Sequence, residues 1–86
     1  MFLTVQHKIL VTLLEKGPLQ NSHIAKSVGI TEQWCSEMIN ALYMEGLVES
    51  EFIPPRRINK LSERGVEIAR RLKEVSENLI NQTQNY

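Results

Sequence analysis

The chain has 86 residues, with ten basic side chains, ten acidic side chains and a net charge of zero. Its apolar content of 42% is ordinary for a globular domain and excludes wholesale disorder. Because its net charge is zero, the chain lacks the overall positive charge that is typical of nucleic-acid-binding proteins. Any such function therefore has to rest on local clusters of basic residues.

The single cysteine, Cys35, cannot form an internal disulfide, and nothing indicates a secreted disulfide scaffold. The N-terminal residues become polar too early for a secretory signal. No apolar run approaches the roughly 20 residues that span a bilayer. We therefore expect one small domain that lies in the cytoplasm and has no membrane partner.

Two helices are predicted first. Residues 4–16 carry apolar side chains at helical spacing, and Thr4 can cap the start of this helix while Gly17-Pro18 ends it. Leu19 is then expected to be extended. A short second helix covers residues 21–28, with Gly29 at its end, where a positive φ suits glycine.

The third predicted helix covers residues 31–45, with Thr31 as its N-cap. Apolar side chains at i, i+3, i+4 and i+7 predict a buried stripe, which consists of Cys35, Met38, Ile39 and Leu42. With about 3.6 residues per turn, four other side chains fall on the opposite face. They are Gln33, Glu37, Asn40 and Met44.

A hairpin and a long helix complete the predicted elements. Residues 47–51 and 57–61 indicate two strands, with residues 52–56 as the tip, where Pro54-Pro55 cannot donate ladder hydrogen bonds. The last helix is predicted from residue 63 to about residue 81, with fraying from Gln82. It carries a line of apolar residues with the spacing of a helix–helix seam: Ile68, Leu72, Val75 and Leu79.

Several short motifs resemble the winged helix-turn-helix proteins, especially the MarR-like branch and small archaeal or viral relatives. They are Ile24-Ala25 in the second helix, Gly29-Ile30-Thr31 at the turn, Leu42, and Glu45-Gly46-Leu47-Val48 at the helix-to-strand step. Leu61-Ser62-Glu63-Arg64-Gly65 is similar to the Leu-Thr-x-x-Gly that follows the wing. The resemblance covers about residues 5–66.

The fold that this resemblance implies is mainly α with a small β-hairpin. We expect a three-helix core and a wing in residues 1–66, and a C-terminal dimerisation helix with a frayed tail in residues 67–86. The family's extra N-terminal dimerisation helix has no counterpart in the sequence. Dimerisation is therefore expected to fall on the C-terminal seam of Ile68, Leu72, Val75 and Leu79.

The function that the resemblance implies is transcriptional control by a homodimer, here expected to be a repressor. The helix over residues 31–45 would enter the major groove of double-stranded DNA, and the wing at residues 51–57 would contact the minor groove or the backbone. The family also has a small-molecule pocket between its dimerisation and DNA-binding parts. This sequence gives a small-molecule effector no support of its own.

Polar side chains of the third helix form a candidate base-reading set. Asn and Gln can pair with adenine through two hydrogen bonds, Glu can accept from cytosine N4, and Ser can serve either role. The set consists of Gln33, Ser36, Glu37 and Asn40. The alternative is the ordinary polar face of an amphipathic helix.

Affinity for DNA comes mainly from contacts with phosphates. The candidates for the backbone or the minor groove are Lys26, Thr31, Arg56, Arg57 and Lys60. Arg56 and Arg57 follow two prolines, and a stiff projection suits an arginine that enters a narrow minor groove. The alternative is a charged pair that keeps a hairpin tip soluble.

The segment from Ser27 to Pro55 contains five glutamates and neither lysine nor arginine. Glutamates that face phosphate would repel it, whereas glutamates that point away would help to reject nonspecific sites. The second hypothesis is therefore a winged-helix protein–protein interaction module that does not bind DNA. Its acidic third helix or its apolar tip at residues 52–55 would contact the partner. The residues alone leave both hypotheses open.

Nothing in the sequence indicates an enzyme, a cofactor or a metal. Cys35 lies on the predicted buried stripe and is expected to be an inert core thiol. His7 and His23 are isolated, and no Cys/His spacing resembles a metal site. Phosphate loops, nucleophile elbows and paired carboxylates are also missing from the sequence. Trp34 is expected to be half-buried at the edge of the stripe.

Overall fold

A computed structural model describes the backbone of residues 4–84 and the side chains of residues 4–78. Four helices and three strands follow one another along the chain. They are α1 (Val5–Lys16), β1 (Leu19–Gln20), α2 (Asn21–Val28), α3 (Glu32–Met44), β2 (Val48–Ile53), β3 (Arg56–Leu61) and α4 (Glu63–Gln84).

The helix boundaries follow from local capping chemistry. The side-chain oxygen of Thr4 accepts from the backbone N–H of His7 at 3.2 Å, and that of Thr31 accepts from the N–H of Trp34 at 3.1 Å. Gly29 ends α2 in the left-handed region, with φ of 86°, which a side chain would strain. Gly29 and Thr31 together define the short connection between α2 and α3.

The core lies where α1, α2 and α3 meet the base of the hairpin and the first turns of α4. Leu and Ile side chains fill most of it, and each contributes about 1.5–3 kcal/mol when fully buried. The buried residues are Ile9, Leu10, Leu13, Ile24, Ala25, Cys35, Ile39, Leu42, Leu47, Val48 and Ala69. The predicted stripe of α3 therefore faces inward, with Met38 partly buried beside it.

The three strands form an antiparallel sheet in the order β1-β3-β2. The hairpin ladder continues to the pair Ile53 and Arg56, so that only Pro54 and Pro55, joined by a cis peptide bond, form the turn. The predicted tip of residues 52–56 was therefore too long. Phe52 pairs with Arg57, which the sequence pattern alone did not indicate.

The last helix, α4, has 22 residues and thus a length of about 33 Å. It continues through Gln84, past the point where fraying was predicted, and Asn85 and Tyr86 lie outside the described residues. α4 runs through residue 66, and Ala69 is fully buried in the core. The division of the chain at residue 66 stays a prediction. No helix among residues 4–84 is long and apolar enough to cross a bilayer.

A compact joint connects the end of α3, the start of β2 and the start of α4. The hydroxyl of Ser62 donates to the carbonyl oxygen of Gly46 at 2.7 Å and accepts from the N–H of Gly65 at 3.0 Å. The backbone N–H of Ser62 donates to the carbonyl oxygen of Leu47 at 3.0 Å. A β-carbon on Gly65 would collide with that carbonyl oxygen and lie 3.3 Å from Cδ2 of Leu61.

Replacing Gly65 with Ala is expected to lower the free energy of unfolding by roughly 1–3 kcal/mol, because the joint has to open to admit the methyl group. The helix propensity of alanine, about 1 kcal/mol better than that of glycine, offsets only part of this cost. Urea denaturation measures the difference. Arg64→Ala, at an exposed position in the same turn, is the control, and equal stability of the two variants would contradict the assignment.

Candidate nucleic-acid interface

The outward face of α3 presents three exposed polar side chains. Gln33, Glu37 and Asn40 point away from the buried stripe, and Met44 follows them with 82% of its surface exposed. Their amide and carboxylate groups are all free of hydrogen bonds to the described part of the protein. The structure thus brings three of the four predicted base-reading residues onto one surface.

Ser36 occupies a different environment. Its side chain is half-buried on the flank of α3, and its hydroxyl oxygen accepts a hydrogen bond of 2.8 Å from the side-chain amide of Asn21. The hydrogen bond ties α3 to the first residue of α2. A base-reading role for Ser36 stays a prediction, and its surroundings favour a structural role.

The hairpin alternates its side chains between two faces, as strands do. We call the face that carries Val48, Ser50, Phe52, Arg57 and Asn59 the inner face, because Val48 and Asn59 are buried on it. Beyond the core, this face continues outward. Ser50, Phe52 and Arg57 line an open groove together with Tyr43 from α3. Arg57 therefore lies on the side of the wing that faces α3.

Arg56 leaves the hairpin on the opposite, outer face. There it lines a shallow groove with Ile53, Pro55 and Ile58. Lys60 is on the outer face as well, directly across the ladder from Glu49. The two neighbouring arginines, which the sequence presents as one cluster, are thus separated by the alternation of the strand.

The remaining predicted phosphate contacts lie at helix ends. Lys26 is exposed in the last turn of α2, and Thr31 is exposed before α3 with its oxygen occupied by the capping hydrogen bond. Among the described residues, the exposed cations nearest α3 in the chain are thus Lys26 and the two wing arginines.

All five glutamates of the cation-free segment are exposed, and they divide among different surfaces. Glu49 and Glu51 occupy the outer face of the wing, away from α3. Glu45 follows the last residue of α3. Glu37 alone shares the outward face of α3 with Gln33 and Asn40. Glu49 and Glu51 are therefore directed away from the surface between α3 and the inner face of the wing, while Glu32 lies in the first turn of α3.

A partly buried polar network lies beneath this surface, with Asn59 as its fully buried member. The hydroxyl of Ser50 donates to Oδ1 of Asn59 at 2.8 Å, and Nδ2 of Asn59 donates to Oδ1 of Asn21 at 2.6 Å and to the carbonyl oxygen of Leu19 at 3.3 Å. Asn21 then donates to Ser36. This network, from Ser50 through Asn59 and Asn21 to Ser36, connects β2, β3, α2 and α3.

Sequence reasoning missed this network, although one signal for it was present. Asn59 lies two residues from both Arg57 and Leu61 along the predicted strand, so the three side chains share one face, and Leu61 has to face the core. A polar residue at an inward position requires hydrogen-bond partners. The partner Asn21 lies 38 positions earlier in the chain, at a separation that local patterns do not reveal.

Cys35 offers no reactive chemistry. The side chain is fully buried, and its thiol donates a weak hydrogen bond of 3.6 Å to the carbonyl oxygen of Asn21. Burial raises the pKa of the Cys35 thiol above its ordinary value, and the nearby carboxylate of Glu32 raises it further. Across the residues that the structure describes, no group of three His, Cys, Asp or Glu side chains is arranged to hold a metal.

Three helices, a sheet whose last two strands form a projecting hairpin, and a short turn between α2 and α3 define a winged helix-turn-helix domain. A sequence model of the MarR family matches residues 4–54, which is more than half of the chain. The chain belongs to the MarR family. No curated protein shows a significant sequence match to it.

Solved structures of several bacterial regulators share the fold. A variant of Lactococcus lactis ZitR superimposes with a TM-score of 0.90 at 20% identity, over 99% of this chain and 60% of that one. The adhesin competence repressor AdcR from Streptococcus pyogenes gives 0.86 at 20%, over 96% and 63%. MepR, a transcription regulator of the Staphylococcus aureus multidrug efflux pump MepA, gives 0.82 at 16%, over 95% and 63%. The chain spans about 60% of the length of these structures.

The raised thiol pKa and the burial of Cys35 predict slow modification. At pH 8, a thiol-specific disulfide reagent is expected to react with the folded protein at least about a hundredfold more slowly than with the unfolded chain, because the domain has to open first. Absorbance of the released thiolate, with and without denaturant, measures the ratio. Similar rates in both states would show that the thiol is accessible and would revive a redox role.

Proposed function

We propose that this chain is a dimeric, sequence-specific DNA-binding transcriptional regulator and acts as a repressor. The observation that carries the proposal is the outward face of α3, with Gln33, Glu37 and Asn40 exposed together, beside a wing whose inner face carries Arg57. A helix fits the major groove of B-form DNA, and a hairpin can reach the adjacent minor groove or backbone. A cytoplasmic location remains a prediction.

Base reading is assigned to three side chains in this proposal. The amides of Gln33 and Asn40 can each donate to adenine N7 and accept from its N6 amino group, and Glu37 can accept from cytosine N4. Glu37 also disfavours register shifts that would bring its charge against a phosphate. Ser36 is left out of the set, because it is half-buried and bonded to Asn21.

Phosphate and minor-groove contacts are assigned first to Arg57, which faces α3 across the groove with Tyr43. Thr31 and Lys26 can contact the backbone from the two ends of the turn that precedes α3. Arg56 extends from the outer face of the wing tip and can reach the opposite strand of a narrow groove. Lys60 contributes little in this arrangement, because it faces outward opposite Glu49.

A protein-binding winged helix is the second candidate, and the exposed glutamates of the segment from Ser27 to Pro55 are the observation in its favour. Phe52 and Ile53, with 67% and 55% of their surfaces exposed, would supply the apolar contact. Membership of the MarR family and the outward orientation of Glu49 and Glu51 favour DNA as the partner.

The dimer is assigned to α4. Ile68 and Leu72 of the predicted seam are partly buried against the core of their own domain, whereas Val75 has 53% of its surface exposed. The side chain of Leu79 lies outside the described residues. Two-fold pairing through the distal half of α4 would cover Val75 and present two copies of α3 to half-sites about one helical turn of DNA apart. No effector ligand is part of the proposal.

The reading of bases and the binding of phosphates are separable by substitution. Asn40→Ala is expected to relax discrimination at one base position by roughly 1–3 kcal/mol, because one paired contact is lost. Arg57→Ala is expected to weaken binding to all sequences and to reduce the salt dependence by about one phosphate contact. Fluorescence anisotropy on duplexes selected from a random pool, at two salt concentrations, measures both effects.

Lys60→Ala is the matched control for Arg57→Ala, since it removes one cation from the same strand on its outer face. Little change is expected for this variant. If the wild-type protein enriches no duplex even at low salt, DNA binding is wrong and a pull-down for a protein partner becomes the next experiment. If Lys60→Ala weakens binding as much as Arg57→Ala, the assignment of the inner face is wrong.

The dimer interface is tested at Val75, because Leu72 also contacts the core and its substitution would disturb the fold. Val75→Glu is expected to shift the protein from dimer to monomer by placing two carboxylates in an apolar contact. Light scattering coupled to size-exclusion chromatography measures the mass. Glu74→Ala, at the neighbouring exposed position, should leave the dimer intact, and a dimeric Val75→Glu variant would rule out this interface.

A further inference from the structure

Asn59 is the one polar side chain that the described part of the chain places entirely in the core, with 0% of its surface exposed. Burying an amide is costly unless its hydrogen-bonding groups are satisfied. Here the carbonyl oxygen accepts from Ser50, and the amino group donates to Asn21 and to the backbone of Leu19. An apolar side chain would fill such a position without these requirements, so the presence of Asn59 calls for a reason other than burial.

The hydrogen bonds run in a single direction through the network. Ser50 donates to Asn59, Asn59 donates to Asn21, and Asn21 donates to Ser36, over distances of 2.8, 2.6 and 2.8 Å. Each amide therefore has its orientation fixed by the groups on both sides. Fully satisfied polar networks of this kind hold their members in one arrangement more specifically than apolar contacts do.

The network lies at the point where the wing leaves the core. Along the inner face, Val48 pairs with Leu61 within the apolar core, and Ser50 pairs with Asn59 at the next inward position. The following pair, Phe52 and Arg57, is exposed. Hence the pair of Ser50 and Asn59 is the outermost point on the inner face at which side chains attach the wing to the rest of the domain. The backbone attachment beside it is short, because β1 pairs with β3 only through Leu19 with Asn59 and Gln20 with Ile58.

We propose that Asn59, with Asn21 and Ser36, is a positioning unit that sets the angle of the wing relative to α3. This inference rests on the proposed function, since its purpose is to let Arg57 and the outward face of α3 contact one duplex together. The wing tip lies about 10 Å beyond Ser50, so a rotation of about 10° at the network would move it by nearly 2 Å. A displacement of that size breaks a hydrogen bond.

The first experiment measures the wing in the free protein. Residual dipolar couplings of backbone N–H groups report the orientations of residues 32–44 and of residues 51–57 in a single alignment frame. For the wild type, both sets should fit one alignment tensor. For Asn59→Ala, the couplings of the wing are expected to depart from the tensor that fits α3, because the hairpin loses its side-chain hydrogen bonds to Asn21 and Leu19 and keeps only the two-residue pairing with β1.

Three further variants separate positioning from general stability. Ser36→Ala removes only the hydrogen bond between Asn21 and α3, and it replaces Asn59→Ala in the measurement of the wing orientation if Asn59→Ala does not fold. Asn21→Asp should preserve one tensor, since a carboxylate can accept from both Asn59 and the hydroxyl of Ser36. Ile9→Val lowers stability in the core without touching the network and should leave the orientation of the wing unchanged.

The second experiment measures coupling in DNA binding by double-mutant cycles, with duplexes selected by the wild type. The affinity of the double variant Asn59→Ala, Arg57→Ala is expected to differ by about threefold or more from the product of the two single effects. The reason is that Arg57 on a displaced wing no longer contacts the DNA, so its removal then costs little. Asn59→Ala and Asn40→Ala should combine additively to within about twofold, because the core holds α3 independently of the network.

The outcomes distinguish this inference from the proposed function. Departure of the wing from the common tensor, with coupling to Arg57 alone, supports the positioning unit. The positioning unit is overturned if Asn59→Ala and Ser36→Ala each fit one common tensor and the double-mutant cycles are additive. If the wild-type protein still binds the selected duplexes, the proposed function remains intact. Failure of the wild type to bind any duplex overturns both.

Discussion

The amide of Asn59 is the contact on which the arrangement of the surface depends. Its hydrogen bonds to Ser50 and Asn21 join the hairpin to α2, and Asn21 continues the connection to Ser36 on α3. Apolar packing holds the helices together but specifies orientation less strictly than a saturated set of hydrogen bonds. In this domain the core supplies stability, while a few polar groups at its edge define where the wing lies.

The alternation of side chains along the hairpin places the charged residues of the wing on two different faces. Arg57 and Phe52 belong to the face that continues toward α3, whereas Arg56, Lys60, Glu49 and Glu51 belong to the other face. A chain with zero net charge can therefore still present a cation beside three polar groups of a helix. The average charge of the sequence says little about the charge of this surface, because strand geometry separates neighbours.

Much of the fold was predictable because short-range chemistry determines it. The helix caps Thr4 and Thr31, the inward stripe of α3 and the turn at Gly29 depend on residues within a few positions of one another. The length of the wing was not predictable, because the pairing of Phe52 with Arg57 depends on the register between the two strands. The outward polar face of α3 could be derived from helical spacing, whereas the half-buried position of Ser36 depended on Asn21, a hydrogen-bond partner on another helix.

The joint at Gly65 has a consequence for how such a domain can change over evolution. The hydroxyl and the backbone N–H of Ser62 donate to the carbonyl oxygens of Gly46 and Leu47, so the direction in which α4 departs is fixed relative to the end of α3 by one serine and by main-chain atoms. Substitution of surface side chains leaves those atoms in place. In the proposed dimer, a new separation between half-sites would thus be reached by altering how two copies of α4 meet, while the preference for particular bases could diverge freely on α3.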